Sequence, residues 1–373
     1  MMAKGLVLEG GGAKGSYQLG LYRALQETHP DIRLVVGTSM GALTGAFIVQ
    51  GNTDVLADIW QKFSFDGSRE LMLSLDEVKK TPDIVRMAKT ARAALNMDMA
   101  PLKELIHRHI DEEKIRASEI DYGLVVYSLS EGKTKYLYLD DIPKGKLHQY
   151  ILASCAYPVF PPVKIDGKLY VDGGVGDNLP YKMVSEKGLE PVILRTNPPK
   201  EGEHLPEHAV VLGPARPVAD TMHFDADLAP YRMQQGYRHG RRILMGYDGL
   251  DYTFYPISEK EAFRRLSELF FARTEDFRYL AEAKGSGERG IVENLWPTLA
   301  SALDLPEDYS YKALFIGLME ARGSLLHLPK DPFYTVDGFL NALDEKNHVH
   351  PRVTTTLDRV LYLLFCGKRL AIE

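Results

Sequence analysis

A parallel-sheet α/β fold with a mostly helical C-terminal extension is the class this sequence predicts, and two observations predict it. Over the first 50 residues the pattern runs strand, glycine turn, helix, strand, turn, helix, the signature of consecutive parallel βα units. From about residue 225 onward it turns largely helical, apart from DYTFYPI. The bulk composition is compatible: 373 residues, 45% hydrophobic and 26% charged, suit one large globular domain or one domain plus a smaller one.

GLVLE (5–9) reads as the first strand, and Gly10, Gly11 and Gly12 break it. AKGSYQLGLYRALQE follows as a helix, with Tyr17, Leu21, Ala24 and Leu25 at three- and four-residue spacing on one face. RLVVG (33–37) is a short, apolar, buried strand, and Met40 to Gln50 the next helix. Residues 54–110 look mostly helical, with VLADIWQKF and PDIVRMAKTARAAL as the clearest pieces. Tyr122–Leu129 and Lys133–Leu139 form a hairpin candidate around Glu131-Gly132, KLHQYILASC a helix, and KLYVD (168–172) a strand ending at Asp172. PVILR and HAVVL add two strand candidates, and the stretch Pro198–Pro217, rich in proline and glutamate, is the best boundary candidate. EAFRRLSELFFARTEDFRYLAEA (261–283) and LDRVLYLLFC (357–366) are amphipathic, the latter read as a core-packed terminal helix with a dimer or lipid contact as the alternative.

Charge and cysteine content narrow the function classes. The net charge of −6 argues against a nucleic-acid partner. The two cysteines, Cys155 and Cys366, give neither a disulfide framework nor a paired metal spacing, so a reducing compartment is expected. The N-terminus runs straight into a strand without an apolar signal core, and no apolar run approaches the roughly 18 residues of a membrane span. A cytoplasmic protein is the expectation, export without an N-terminal signal the alternative. Oligomeric state is left open.

The first motif has a false friend. Gly10, Gly12 and Gly15 fit the dinucleotide pattern G-x-G-x-x-G after a strand. That fingerprint also wants an acidic residue at the end of the second strand, where this chain has Gly37-Thr38-Ser39. A P-loop is excluded because Lys14 precedes Gly15. Successive glycines at a helix N-terminus also present backbone N–H groups able to hold a developing oxyanion, the bland alternative being a tight turn.

Gly37-x-Ser39-x-Gly41 matches the nucleophile elbow, between a strand and a helix whose first N–H, that of Met40, is placed to join an oxyanion hole. The alternative is a helix N-cap at Thr38 or Ser39. Only two strands precede Ser39 and the glycine loop follows the first, which excludes the α/β-hydrolase order. None of His107, His109, His148, His204, His208, His223 and His239 sits in a comparable motif. Asp172 ends a β-run before Gly173-Gly174, so a general base at the sheet's carboxyl edge and an Asp-Gly turn are equally good readings.

Together LVLEGGGAKGSYQLG (6–20), GTSMGAL (37–43) and ASCAYPVFPPVKIDGKLYVDGGVGDNLP (153–180) resemble the patatin-like phospholipase family. The resemblance covers residues 5–185 and implies a three-layer patatin-like fold with the catalytic region there; the pattern beyond it is divided into remaining sheet elements and a connection over 186–256 and a mostly helical region over 257–373. The resemblance implies a Ser–Asp dyad without histidine: Ser39 as nucleophile, Asp172 as proton acceptor, and Gly10, Gly11 and Gly12 as the oxyanion hole. Lys14 stands where the family has Arg or Lys, and the resemblance implies contact with substrate phosphate. Glu9 departs from the family's usual Asp or Ser without touching the backbone donors. The implied chemistry is hydrolysis of fatty-acyl esters of phospholipids or lysophospholipids through an acyl-enzyme, with no metal, no calcium and no cofactor. An acyltransferase using the same acyl-enzyme and a non-catalytic lipid- or nucleotide-binding protein are the competing readings. The lipid substrate is the expected partner. DIVRMAKTARAAL (83–95), with Arg86, Lys89 and Arg92 on one face, is either a packed surface helix or a transient membrane-surface contact.

Overall fold

In the computed structural model the described residues are 3–63, 99–200, 202–219, 221, 223–277, 287–346 and 355–366, so the amphipathic stretch 83–95 lies outside them. The chain divides into two compact units, Met1–Arg241 and Arg242–Glu373. The stretch Pro198–Pro217, expected as a boundary, lies inside the first unit, because Val210–Leu212 within it is a sheet strand.

The first unit is built on an eight-stranded sheet. Its strands are β1 (Lys4–Leu8), β2 (Ile32–Thr38), β3 (Asp121–Ser128), β4 (Lys133–Tyr138), β5 (Val163–Ile165), β6 (Lys168–Asp172), β7 (Glu190–Leu194) and β8 (Val210–Leu212). The order is β5-β6-β3-β2-β1-β7-β8, with β4 also paired to β3. β3 through β8 by way of β2, β1 and β7 is parallel, whereas β4 and β6 run antiparallel to β3, and β5 antiparallel to β6. The expected parallel fold is thus mixed but mostly parallel.

Helices cover both faces, as continuous apolar strands such as LVVG require. Met183 and Val184 of the helix Tyr181–Ser185 pack with Val7, Val36, Val125 and Ile193 on one face. The alternate residues Leu8, Val35 and Tyr122 face the helix Met40–Val49, where a Cβ on Gly45 would lie 3.0 Å from Val35. The first helix, Gly15–Gln26, meets the helix Ala229–Leu244 almost backbone to backbone. A Cβ on Gly20 would lie 1.9 Å from the Met233 carbonyl oxygen, and one on Gly236 2.0 Å from that of Tyr17. Alanine gains about 1 kcal/mol over glycine in helix propensity, but overpacking against backbone costs roughly 1–3 kcal/mol or more. Gly236→Ala is therefore expected to destabilise the unit by about 2 kcal/mol in chemical denaturation, and a variant as stable as the parent would show that the two helices can part freely.

The second unit is mostly helical, as expected. Trp296 sits among Phe270, Phe271 and Tyr311, and the terminal helix Thr356–Cys366 buries Val360, Leu361 and Leu364 in the same core. The buried Glu320 carboxylate accepts the N–H groups of Leu250, Asp251 and Tyr252. Among the described residues no helix is long and apolar enough to cross a membrane.

Candidate active site

Ser39 occupies the turn between β2 and the helix Met40–Val49, at φ 57° and ψ −129°. That left-handed backbone is a conformation non-glycine residues rarely adopt. The turn is tight enough to exclude side chains on both flanks: a Cβ on Gly37 would lie 2.4 Å from the Gly41 carbonyl carbon, and one on Gly41 2.3 Å from the Leu8 oxygen. Polar bonds hold the elbow from below. Ser39 N–H donates to Ser154 Oγ at 2.9 Å, and Ser154 Oγ donates to the Val125 carbonyl at 2.7 Å. Thr38 Oγ1 donates to the Asp177 carbonyl at 3.0 Å.

Sheet register brings Asp172 to Ser39. β3 pairs its Val125 with Thr38 of β2 and continues past the end of that strand. β6 returns antiparallel along the overhang and stops with Asp172 opposite Val126, beside the elbow. The sequence expectation placed Asp172 at the carboxyl edge of the sheet; it stands there at the end of a strand that runs antiparallel to β3. Ser39 Oγ donates to Asp172 Oδ2 at 2.6 Å, and Gly174 N–H donates to Asp172 Oδ1 at 2.7 Å. The carboxyl is 2% exposed. Burial raises its pKa from 3.8 to about 6, outweighing the bonds from Ser39 and Gly174 that pull it down. The neighbouring Cys155 thiol is pushed up by burial and by the Asp172 charge, which keeps it protonated and a poor nucleophile.

No histidine lines this site among the described residues. His239 Nδ1 bonds the Tyr17 hydroxyl at 2.9 Å, His107 and His148 pair with each other, and His223 lies 3.8 Å from Asp225.

The glycine loop faces the same space. Gly12 has φ 55°, and a Cβ there would strike the Thr221 carbonyl oxygen at 2.1 Å. One expectation is corrected. Gly10 N–H donates to the Asn178 carbonyl at 3.1 Å and is not a spare oxyanion donor. The N–H groups of Gly11, Gly12 and Met40 have no acceptor among the described residues, so the donor set narrows to these three. Lys14 is buried, its ammonium donates to Asn197 Oδ1, and it does not line the cavity; the cationic lining side chain among the described residues is Lys200. Gly15 lies behind the loop, where a Cβ would meet Trp60 at 2.5 Å. Gly173 is pressed against Val125, its Cβ position 2.3 Å from the carbonyl oxygen.

A cavity of about 300 Å³ opens over Ser39, Asp172 and the loop. Phe63, Met99, Leu102, Tyr157, Phe160 and Phe224 give it an apolar wall, and Asn197 and Lys200 add polar groups. Phe224 is stacked on Trp60, with centroids 6.1 Å apart, and meets Phe63 edge-on. A serine hydroxyl bonded to a buried carboxylate, with unpaired backbone N–H groups beside an apolar cavity, is an arrangement able to carry acyl transfer. Sequence reasoning missed Ser154, Asn178, Thr196 and Asn197 as parts of the site. For Thr196 and Asn197 a signal existed: they follow β7, and α/β sites gather at the carboxyl ends of neighbouring parallel strands.

Residues 6–185 match the family model described as patatin-like phospholipase. An uncharacterized NTE family protein of Mycobacterium tuberculosis is 31% identical over 181 residues, 48% of this chain and 45% of that protein. Patatin-like phospholipase domain-containing protein 6 of Mus musculus is 30% identical over 195 residues, 50% of this chain and 13% of that protein. Lysophospholipase NTE1 of Mycosarcoma maydis is 26% identical over 230 residues, 59% of this chain and 11% of that protein. The chain thus spans less than half the length of these curated relatives. Among solved structures, VipD from Legionella pneumophila aligns over 98% of this chain and 91% of its own at 15% identity, with a TM-score of 0.39.

Proposed function

We propose, from the premise that residues 6–185 are a patatin-like phospholipase domain, that this chain is a serine acyl hydrolase of phospholipids or lysophospholipids. The observation that carries the reading is the 2.6 Å bond from Ser39 Oγ to a buried carboxylate with no histidine between them. Asp172 takes the Ser39 hydroxyl proton as Oγ attacks the acyl carbonyl. The oxyanion that forms is held by the N–H groups of Gly11, Gly12 and Met40. Collapse breaks the ester bond, and the leaving alcohol takes the proton back from Asp172. Water then gives a proton to Asp172, attacks the acyl-enzyme and releases the fatty acid, and the proton returns to Ser39. The apolar wall holds the acyl chain, and Lys200 supplies positive charge toward an anionic headgroup.

A fluorophosphonate probe tests an activated serine, and fatty-acid release from lysophosphatidylcholine and from diacyl phospholipid vesicles tests the substrate. Stoichiometric labelling at Ser39 with fatty-acid release is the expected result. A folded protein that neither labels nor releases fatty acid overturns the reading.

A further inference from the structure

The structure assigns Thr196 and Asn178 a positioning role: together they hold the Gly10–Gly11 peptide so that the Gly11 N–H faces the reacting carbonyl. The inference rests on the hydrolase reading above and concerns how its oxyanion hole is kept in shape.

The Gly10 carbonyl oxygen accepts two side-chain bonds, from Thr196 Oγ1 at 3.0 Å and from Asn178 Nδ2 at 3.0 Å. A trans peptide is planar, so the Gly10 C=O and the Gly11 N–H point in opposite directions. Two donors fixing the carbonyl therefore fix the N–H on the opposite side of the peptide, where it has no acceptor among the described residues and Gly11 lines the cavity. The constraint matters at this bond because neither residue has a Cβ, and a Gly–Gly peptide turns over at little steric cost. The same two side chains press on the two glycines. A Cβ on Gly10 would lie 2.3 Å from Asn178 Oδ1, and one on Gly11 2.5 Å from Thr196 Oγ1.

Each holder is itself held. The Asn178 carbonyl accepts the Gly10 N–H, which makes a two-point clamp. The Glu9 carboxylate accepts the N–H groups of Thr196 at 2.6 Å and Asn197 at 3.0 Å. Asn197 Nδ2 donates to Thr196 Oγ1 at 3.1 Å, and of the two acceptors within reach of the hydroxyl proton the Gly10 oxygen at 3.0 Å is nearer than the Glu9 carboxylate at 3.3 Å. A glutamate at position 9 is long enough to tie the strand end before the loop to the neighbouring strand end that carries Thr196.

Thr196→Val keeps the shape and removes the donor; Thr196→Ser keeps the donor. A lost oxyanion donor costs about 10²–10³-fold in kcat, and loosening one of two clamps a part of that. The expected result for T196V is a kcat about 10-fold lower, with KM and the acidic pH midpoint unchanged, and recovery in T196S to within about 2-fold. An unchanged kcat in a folded T196V, or an equal loss in T196S, overturns the inference. The crystal structure of T196V/N178A reads the same point without turnover. A rotated Gly10–Gly11 peptide supports it and an unmoved one overturns it, so a wild-type protein without hydrolase activity sinks the function reading and leaves this test standing.

Discussion

Asp172→Asn is expected to abolish ester hydrolysis and, at neutral pH, to make the protein more stable. Asparagine keeps the volume, keeps an oxygen for the Gly174 N–H, and keeps a polar group against Ser39 Oγ. In the proposed mechanism it removes the proton acceptor, worth about 10²–10⁴-fold in rate. The stability change follows from burial. The carboxyl holds its proton more tightly when folded, with a pKa raised from 3.8 to about 6. Below pH 3.8 it is protonated in both states and costs nothing. Between there and about pH 6 the unfolded chain releases the proton first, so stability falls as pH rises, by about 3 kcal/mol in total. The asparagine variant escapes that loss, so its stability advantage should open across this window and stay constant above it. Wild-type kcat/KM should rise through the same window, with a midpoint about 6. Denaturation and rate profiles from pH 4 to 8 check both arms. Near-normal turnover in the variant removes Asp172 as the base, and a stability gap that does not vary with pH removes the buried-charge argument.

The parts of the fold legible in the sequence are those written in local pattern. β1, the glycine turn, β2 and the helix after Ser39 fall where apolar runs and glycines place them, within a residue or two. The C-terminal helix Thr356–Cys366 packs as its apolar spacing predicts. Strand direction was not legible. Nothing in KLYVD distinguishes a strand parallel to β3 from one antiparallel to it, because direction depends on partners 40 or more residues away, with Asp172 facing Val126. The proline-rich stretch misled for a related reason: its prolines mark turns, while Val210–Leu212 between them finds a partner in β7.

The site divides in the same way. The motif residues could be named because glycine is the only residue that fits beside the elbow, and Gly37 and Gly41 are both closed in by backbone. Their supports could not, apart from the placement of Thr196 just after β7. Ser154, Asn178 and Thr196 are ordinary polar residues whose importance comes from the atom each touches: the Ser39 N–H for the first and the Gly10 carbonyl for the other two. The Gly10 amide shows the limit from the other side. Three successive glycines suggest three equivalent donors, yet a long-range bond to Asn178 takes one of them.

Ser39→Ala is expected to lower hydrolysis by at least ~10³-fold and to abolish fluorophosphonate labelling, since only the nucleophilic oxygen is lost. A second variant separates the oxygen from the backbone that presents it. Ser39 holds φ 57° and ψ −129°, and alanine, with the same Cβ, must hold them too. Glycine need not bear that strain, which is worth about 1–3 kcal/mol, although its freer unfolded chain returns roughly 0.5–1 kcal/mol of the gain. Ser39→Gly should therefore be inactive like Ser39→Ala but about 1 kcal/mol more stable. Both lack Oγ, so the loss of the bond to Asp172 cancels in the comparison. A glycine variant less stable than the alanine one would show that the elbow is relaxed as it stands. Strain at residue 39 and a buried charge at residue 172 are then two separate costs that the rest of the first unit carries. Both arise from the same requirement, since a turn this sharp and a carboxylate this dry are what set Ser39 Oγ at 2.6 Å from Asp172 and leave it facing the cavity.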